Sequence, residues 1–274
     1  MRPLPLALLA ACAHQAPVSD ATPAAPPPPA TGVPGLDALL VPGAVVVFGE
    51  VHGTRQGPAF VADAVRAAAR TGPVLLGLEI ERDEQPRIDA FLASDGGAEA
   101  RDALVHGAFW HRPFQDGRSS HAMVALLDAA RTAGARVLAF DHAATSPNQR
   151  DADMAARLAE APAAAPDATL LVLVGDLHAR EVAGLPPAPE LVPMAMQLAQ
   201  RVPSVVTLDL VAAGGTYWAC LGPTTADCGV QDATAKDVGP IRVDRSSPPE
   251  GYDGVWVVGP ITASYPARDP TAPG

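Results

Sequence analysis

A chain of 274 residues that is 48% apolar but only 4% aromatic must build its core from Ala, Val and Leu, and it is long enough to bury a large one. The formal net charge of −11, with Lys236 as the sole lysine, excludes a phosphate-neutralising surface and hence nucleic acid as a partner. No glycine-rich phosphate loop or dinucleotide fingerprint occurs, which removes the common nucleotide-binding classes.

The elements follow in chain order. "MRPLPLALLAAC" pairs an early arginine with a short apolar run and a terminal Leu-Ala-Ala-Cys. The run is too short to span a bilayer, and it resembles a bacterial lipoprotein signal over residues 1–12, with Cys12 as the lipidated residue. Residues 13–35, dense in Pro and Ala, read as an extended spacer that lifts the domain off a membrane. Envelope localisation is therefore expected, with the membrane a partner through the lipid.

From residue 36 to 211 apolar runs alternate with helical patterns. Val45–Phe48, Val74–Ile80, Val137–Phe140, Leu170–Val174 and Val205–Leu210 read as strands. Helical spacing covers Pro58–Arg70, Glu84–Ala93, Ala98–His106, Ser119–Ala133 with Gly134 as its stop, and Met194–Arg201. Ser146-Pro147-Asn148-Gln149 offers a capping box opening a helix that reaches about Ala161. Continuously apolar strands separated by helices predict an α/β fold, a mainly parallel sheet covered on both faces. Residues 212–274 read as a small β-rich extension packed on the same domain. With Cys12 assigned to lipid, Cys220 and Cys228 are left to form a local disulfide in an exported chain.

Four strand exits end in acid or histidine: "VVVFGEVH", "VLLGLEIE", "VLAFDH" and "VLVGDLH". In an open α/β sheet these carboxyl ends share the edge where ligands bind. Residues two apart in an extended chain share a side, which groups Glu50 with His52 and Asp176 with His178. Of Asp141 and His142 only one can face a site, and Glu81 reads as a solvated helix start. Histidine flanked by carboxylates suits general-base activation of water. The same set could instead hold a divalent metal through Glu50, His52 and His178. Neither a Gly-x-Ser-x-Gly elbow nor a His-Glu-x-x-His helix is present.

"GEVHGT", the Glu79 preceding "ERDEQ", "RDADMA" and "VGDLHA" together resemble the superfamily of ChaN-type haem-binding uptake lipoproteins, TraB/Tiki proteins and erythromycin esterases. The resemblance runs from about Val45 to Arg180. It implies Glu50, His52, Glu79 and His178 as catalytic residues, with His52 the water-activating base of esterase-like members or part of the metal set of Tiki-like peptidases. Arg150 and Asp151 match the "RD" that opens a helix before the last strand of esterase-like members. Arg150 would pair with a carboxylate or steady an oxyanion. Arg55, Asp176 and His142 complete the expected substrate contacts, Thr54 and Arg55 at the entrance. The expected function is hydrolysis of a small-molecule or peptide substrate, with haem or iron binding in the same cleft as the alternative and a non-catalytic scaffold as a third. Haem ligation by tyrosine has no counterpart in the resembling region, since Tyr217, Tyr252 and Tyr265 lie beyond it. His106, His111 and His121 remain for that role, and "HGAFWHRPF" reads as a lid, a haem face or a patch tucked onto the core.

Overall fold

A computed structural model describes residues 31–185 and 188–268. Cys12 and the expected signal lie outside the described residues. The fold is α/β, built on one eight-stranded sheet that is mostly parallel.

The strands are β1 (Val45–Glu50), β2 (Val74–Glu81), β3 (Arg136–Asp141), β4 (Thr169–Gly175), β5 (Val205–Cys220), β6 (Cys228–Ala233), β7 (Arg242–Asp244) and β8 (Gly254–Ile261). Their order is β3-β2-β4-β1-β5-β8-β7, with β6 pairing β5 off this path. The helices are α1 (Gln56–Ala68), α2 (Gln85–Leu92), α3 (Ala98–Val105), α4 (Ala108–His111), α5 (His121–Ala133), α6 (Pro147–Ala164) and α7 (Met194–Ala199). The period of two along β1 explains the two layers. Val46 and Phe48 enter one core with α1 and α5, and Val45 and Val47 enter a second with α6 and α7.

Local signals set the helix ends. Gly134 adopts φ 67° after α5 and its N–H returns to the Ala130 and Arg131 carbonyls. Ser146 Oγ accepts from the Gln149 N–H at 3.2 Å, while Gln149 turns to Asp153 instead of completing the box. Residues 31–35, assigned to the spacer on composition, are tied to the domain: Thr31 donates to Asp37 and Val243 N–H to the Pro34 carbonyl.

The extension continues the sheet. β5 runs straight through residue 212 to Cys220, β8 adds in parallel, and β6 and β7 are antiparallel. Register shifts between Val211 and Gly215 mark bulges, with Gly214 and Gly215 at φ 99° and 117°. There a Gly215 Cβ would lie 2.0 Å from the Ile261 carbonyl, so only glycine permits the pairing. A disulfide joins Cys220 to Cys228 across the β5–β6 pair. Trp256 in β8 stacks edge-on with Phe48 and Phe60 and donates to the Gly49 carbonyl at 3.0 Å, fastening the extension to the end of β1.

Candidate active site

The strand order makes β3, β2, β4 and β1 consecutive neighbours, so all four acid or histidine exits lie side by side. Glu50 stands opposite Gly175 in the β1–β4 register. A cleft of about 420 Å³ opens over this edge, lined by Glu50, His52, Glu79, Arg150, Asp176 and His178 among others. His52 and His178 thus face a common pocket, although Asp176–Ala179 is a 3₁₀ turn and not extended chain.

His52 lies between two carboxylates. Its Nδ1 is 3.0 Å from Glu50 Oε1 and its Nε2 3.4 Å from Glu79 Oε2. Glycine makes the close fit possible, because a Cβ on Gly175 would come within 2.9 Å of His52 Nε2. Burial opposes charge on the ring, but the Glu79 charge and the Glu50 hydrogen bond overcome it and push the His52 pKa up to about 10. Glu50 is raised as well, chiefly by burial against the pull of His52, and its Oε2 is buried without a hydrogen-bond partner. The two groups therefore titrate as a coupled pair.

Glu79 is the hub. Its Oε1 accepts from Arg118 at 2.9 Å and Arg150 at 2.6 Å, and its Oε2 from the Gly175 N–H at 2.8 Å. Burial would raise its pKa, yet the Arg118 and His52 charges hold it well below the usual carboxylate range. Asp141, at the end of β3, completes the clamp by accepting from both arginines at 2.7 Å. Asp116, bound through Arg118 Nε and Nη2, is held down at about 2: burial works against its charge, and Arg118 outweighs burial.

His178 has a different pair of neighbours. Its Nδ1 is 2.8 Å from Asp151 Oδ1, which also accepts the Met194 N–H, and Arg150 Nη1 is 3.0 Å from its Nε2. A guanidinium can only donate, so this contact requires an unprotonated Nε2 and a proton on Nδ1. Burial lowers the pKa of the ring, Asp151 and Glu79 raise it above the ordinary value, and Arg150 opposes them.

Two expected contacts lie elsewhere. His142 turns from the cleft to pair with Asp153 at 3.1 Å, since Asp141 takes the inward position at the end of β3. Arg55 reaches the Ala263 carbonyl at 3.3 Å and lines a separate groove between α1 and α5, because the chain turns at Gly53 and pairs Thr54 with Ala263. Glu81 is half-exposed and faces Arg112. "HGAFWHRPF" is no lid: α4 buries Phe109 and Trp110 completely in the core.

The residues missed from sequence are Arg118, Asp116 and Tyr217. Tyr217 lines the cleft because the bulged half of β5 swings over it. Arg118 sits on the loop before α5, which buried Gln115 secures by donating to the Trp110 and Arg268 carbonyls and accepting from Ser119 Oγ. The Gln115 carbonyl accepts from Trp218 Nε1 at 2.7 Å, so the β5–β6 hairpin positions the arginine loop.

A divalent metal does not fit this donor set. Among the described residues no group of three or more His, Cys, Asp or Glu could hold one. Most of the lone pairs that would face it are committed, both Glu79 oxygens to arginines, a backbone N–H and His52, and His178 Nε2 to Arg150, which leaves Glu50 Oε2 as the unpartnered oxygen of the expected set.

No protein-family model matches the chain, and no curated protein matches it. Among solved structures it is similar to a mutant of the erythromycin esterase EreC in its open conformation, with a TM-score of 0.55 and 12% identity over 74% of this chain and 79% of that one. The chain shares its fold with that esterase. It is also similar to a Bacillus cereus protein, with a TM-score of 0.50 and 11% identity over 85% of this chain and 92% of the other.

Proposed function

We propose that this chain is an envelope lipoprotein of the erythromycin esterase and ChaN-like superfamily, and that it hydrolyses an acyl bond by activating water at His52. The observation that carries the reading is His52 held between Glu50 and Glu79 in an open cleft lined by two guanidinium groups.

Glu50 orients the ring through Nδ1 and stabilises the imidazolium, which makes Nε2 a strong proton acceptor once it is free. Water adds to the carbonyl carbon as its proton passes to Nε2, and the same proton then goes to the departing oxygen. Arg150, whose side chain is a quarter exposed, is the cation available to the developing oxyanion. Because His52 holds its proton up to about pH 10, kcat/KM should climb with pH well beyond the range of an ordinary histidine. The cleft suits ester and lactone carbonyls. Metal-assisted peptide hydrolysis has no support in this donor set, where Glu79 and His178 Nε2 are engaged elsewhere.

The test is hydrolysis of 4-nitrophenyl acetate and simple lactones by residues 31–274, beside His52→Ala. A loss of a hundredfold or more supports the reading, whereas an unchanged rate overturns it. Haemin titration of the same protein separates the binding alternative. A Soret shift of defined stoichiometry, with no hydrolysis of any ester, would assign haem binding instead. Lipidation predicts incorporation of labelled fatty acid into the full chain that is lost in Cys12→Ala.

A further inference from the structure

The cleft does not end at Tyr217. A second cavity of about 360 Å³ lies on the other side of Val51 and Tyr217, and both residues line both spaces. Its floor is apolar, made by Leu210, Ala212 and Ile261, with Ala212 and Ile261 buried. Polar groups gather only at the exposed rim, where Asp232, Thr234 and Lys236 stand. The space lies along the β5 bulges, where Ala212, Gly214 and Tyr217 of β5 and Ile261 of the neighbouring β8 line it. The two cavities differ in chemistry: one concentrates ionised groups, and the other presents aliphatic walls directly beside it.

We infer that the second cavity is a subsite for an apolar arm of the substrate, a linear acyl chain of intermediate length whose carbonyl lies in the charged cleft at His52. The inference rests on the hydrolase reading for the position of the carbonyl. The arm crosses between Val51 and Tyr217, whose ring covers it, and ends near Thr234 at the solvent mouth. At about 30 Å³ per carbon, a liquid water's share, a chain of roughly six to eight carbons fills about half to two-thirds of the 360 Å³ before it reaches the open mouth. Longer chains project into water and gain nothing further. Each methylene buried favours binding about threefold to fourfold.

The experiment compares 4-nitrophenyl esters from acetate to decanoate, and in parallel binding of methyl- to octylphosphonate followed by tryptophan fluorescence. Trp218 next to Tyr217 supplies the signal, and the phosphonate supplies an oxyanion without turnover. The expected result is a rise in kcat/KM on the order of a hundredfold from acetate to hexanoate, a plateau by about octanoate, and the same trend in phosphonate affinity. Thr234→Trp, at an exposed position, should fill the mouth, cut the rise below about tenfold and leave acetate unaffected. Glu99→Trp, exposed on α3 away from both cavities, should leave the slope unchanged. Chain-length-dependent phosphonate binding without hydrolysis of any ester would preserve the arm subsite and remove the hydrolase reading. Hydrolysis and binding that are both flat with chain length, or a slope that Thr234→Trp leaves intact, would overturn the subsite.

Discussion

The two Gly-acid-x-His endings are nearly the same in sequence and opposite in surroundings. At the β1 ending, both nitrogens of His52 meet carboxylates. At the β4 ending, His178 meets Asp151 on one side and the Arg150 guanidinium on the other. The first arrangement stores a proton and the second keeps a lone pair engaged with a cation. A short motif therefore delivers a histidine to the sheet edge but does not assign its protonation state, which the partners from β1 and β2 decide for His52 and those from α6 for His178.

Removing one group at a time separates the two endings. His52→Ala should lower ester hydrolysis by about a hundred- to ten-thousandfold, the range expected for loss of a general base. Glu79→Ala removes the carboxylate that touches both halves and leaves Arg118 and Arg150 under-neutralised. Thermal or denaturant unfolding should show a loss of about 3–5 kcal/mol, and a loss below about 1 kcal/mol would mean that the clamp is not coupled to folding. Asp151→Ala strips His178 of its acceptor and leaves the Met194 N–H unpaired as well, at a cost of about 2 kcal/mol in the same assay.

The pH dependence tests the same clamp without removing a group. The His52 pKa is raised from 6.5 to about 10 on folding, so its contribution to stability is fully present below 6.5 and disappears as pH rises through about 10. Glu50, also raised, acts in the same sense. Unfolding midpoints should fall between pH 6.5 and about 10 in the natural protein, and His52→Gln should flatten that decline.

Much of this site is legible in the sequence because strand exits are local features. The apolar runs before Glu50, Glu79, Asp141 and Asp176 locate the edge, and the parallel sheet brings those exits together. Adjacency cannot decide between Asp141 and His142, since the choice depends on which one reaches Arg118 and Arg150. Arg118 carries no signal at all. "FQDGRSS" has no periodicity, and its place depends on Gln115 meeting Trp218 and Arg268, more than a hundred residues away. "AAGGTYWAC" reads as the start of an appendage because paired glycines usually interrupt strands. Here they form bulges that bend β5 and bring Tyr217 to the cleft.

Everything proposed for this cleft depends on where the proton sits, and imidazole ¹⁵N NMR of the substrate-free protein reads that directly. At about pH 8 the His52 ring should carry protons on both nitrogens and should titrate only near 10, with the signal assigned by its loss in His52→Gln. A His52 ring that titrates near the ordinary histidine value of 6.5 would contradict the two-carboxylate clamp and the water-activating role built on it.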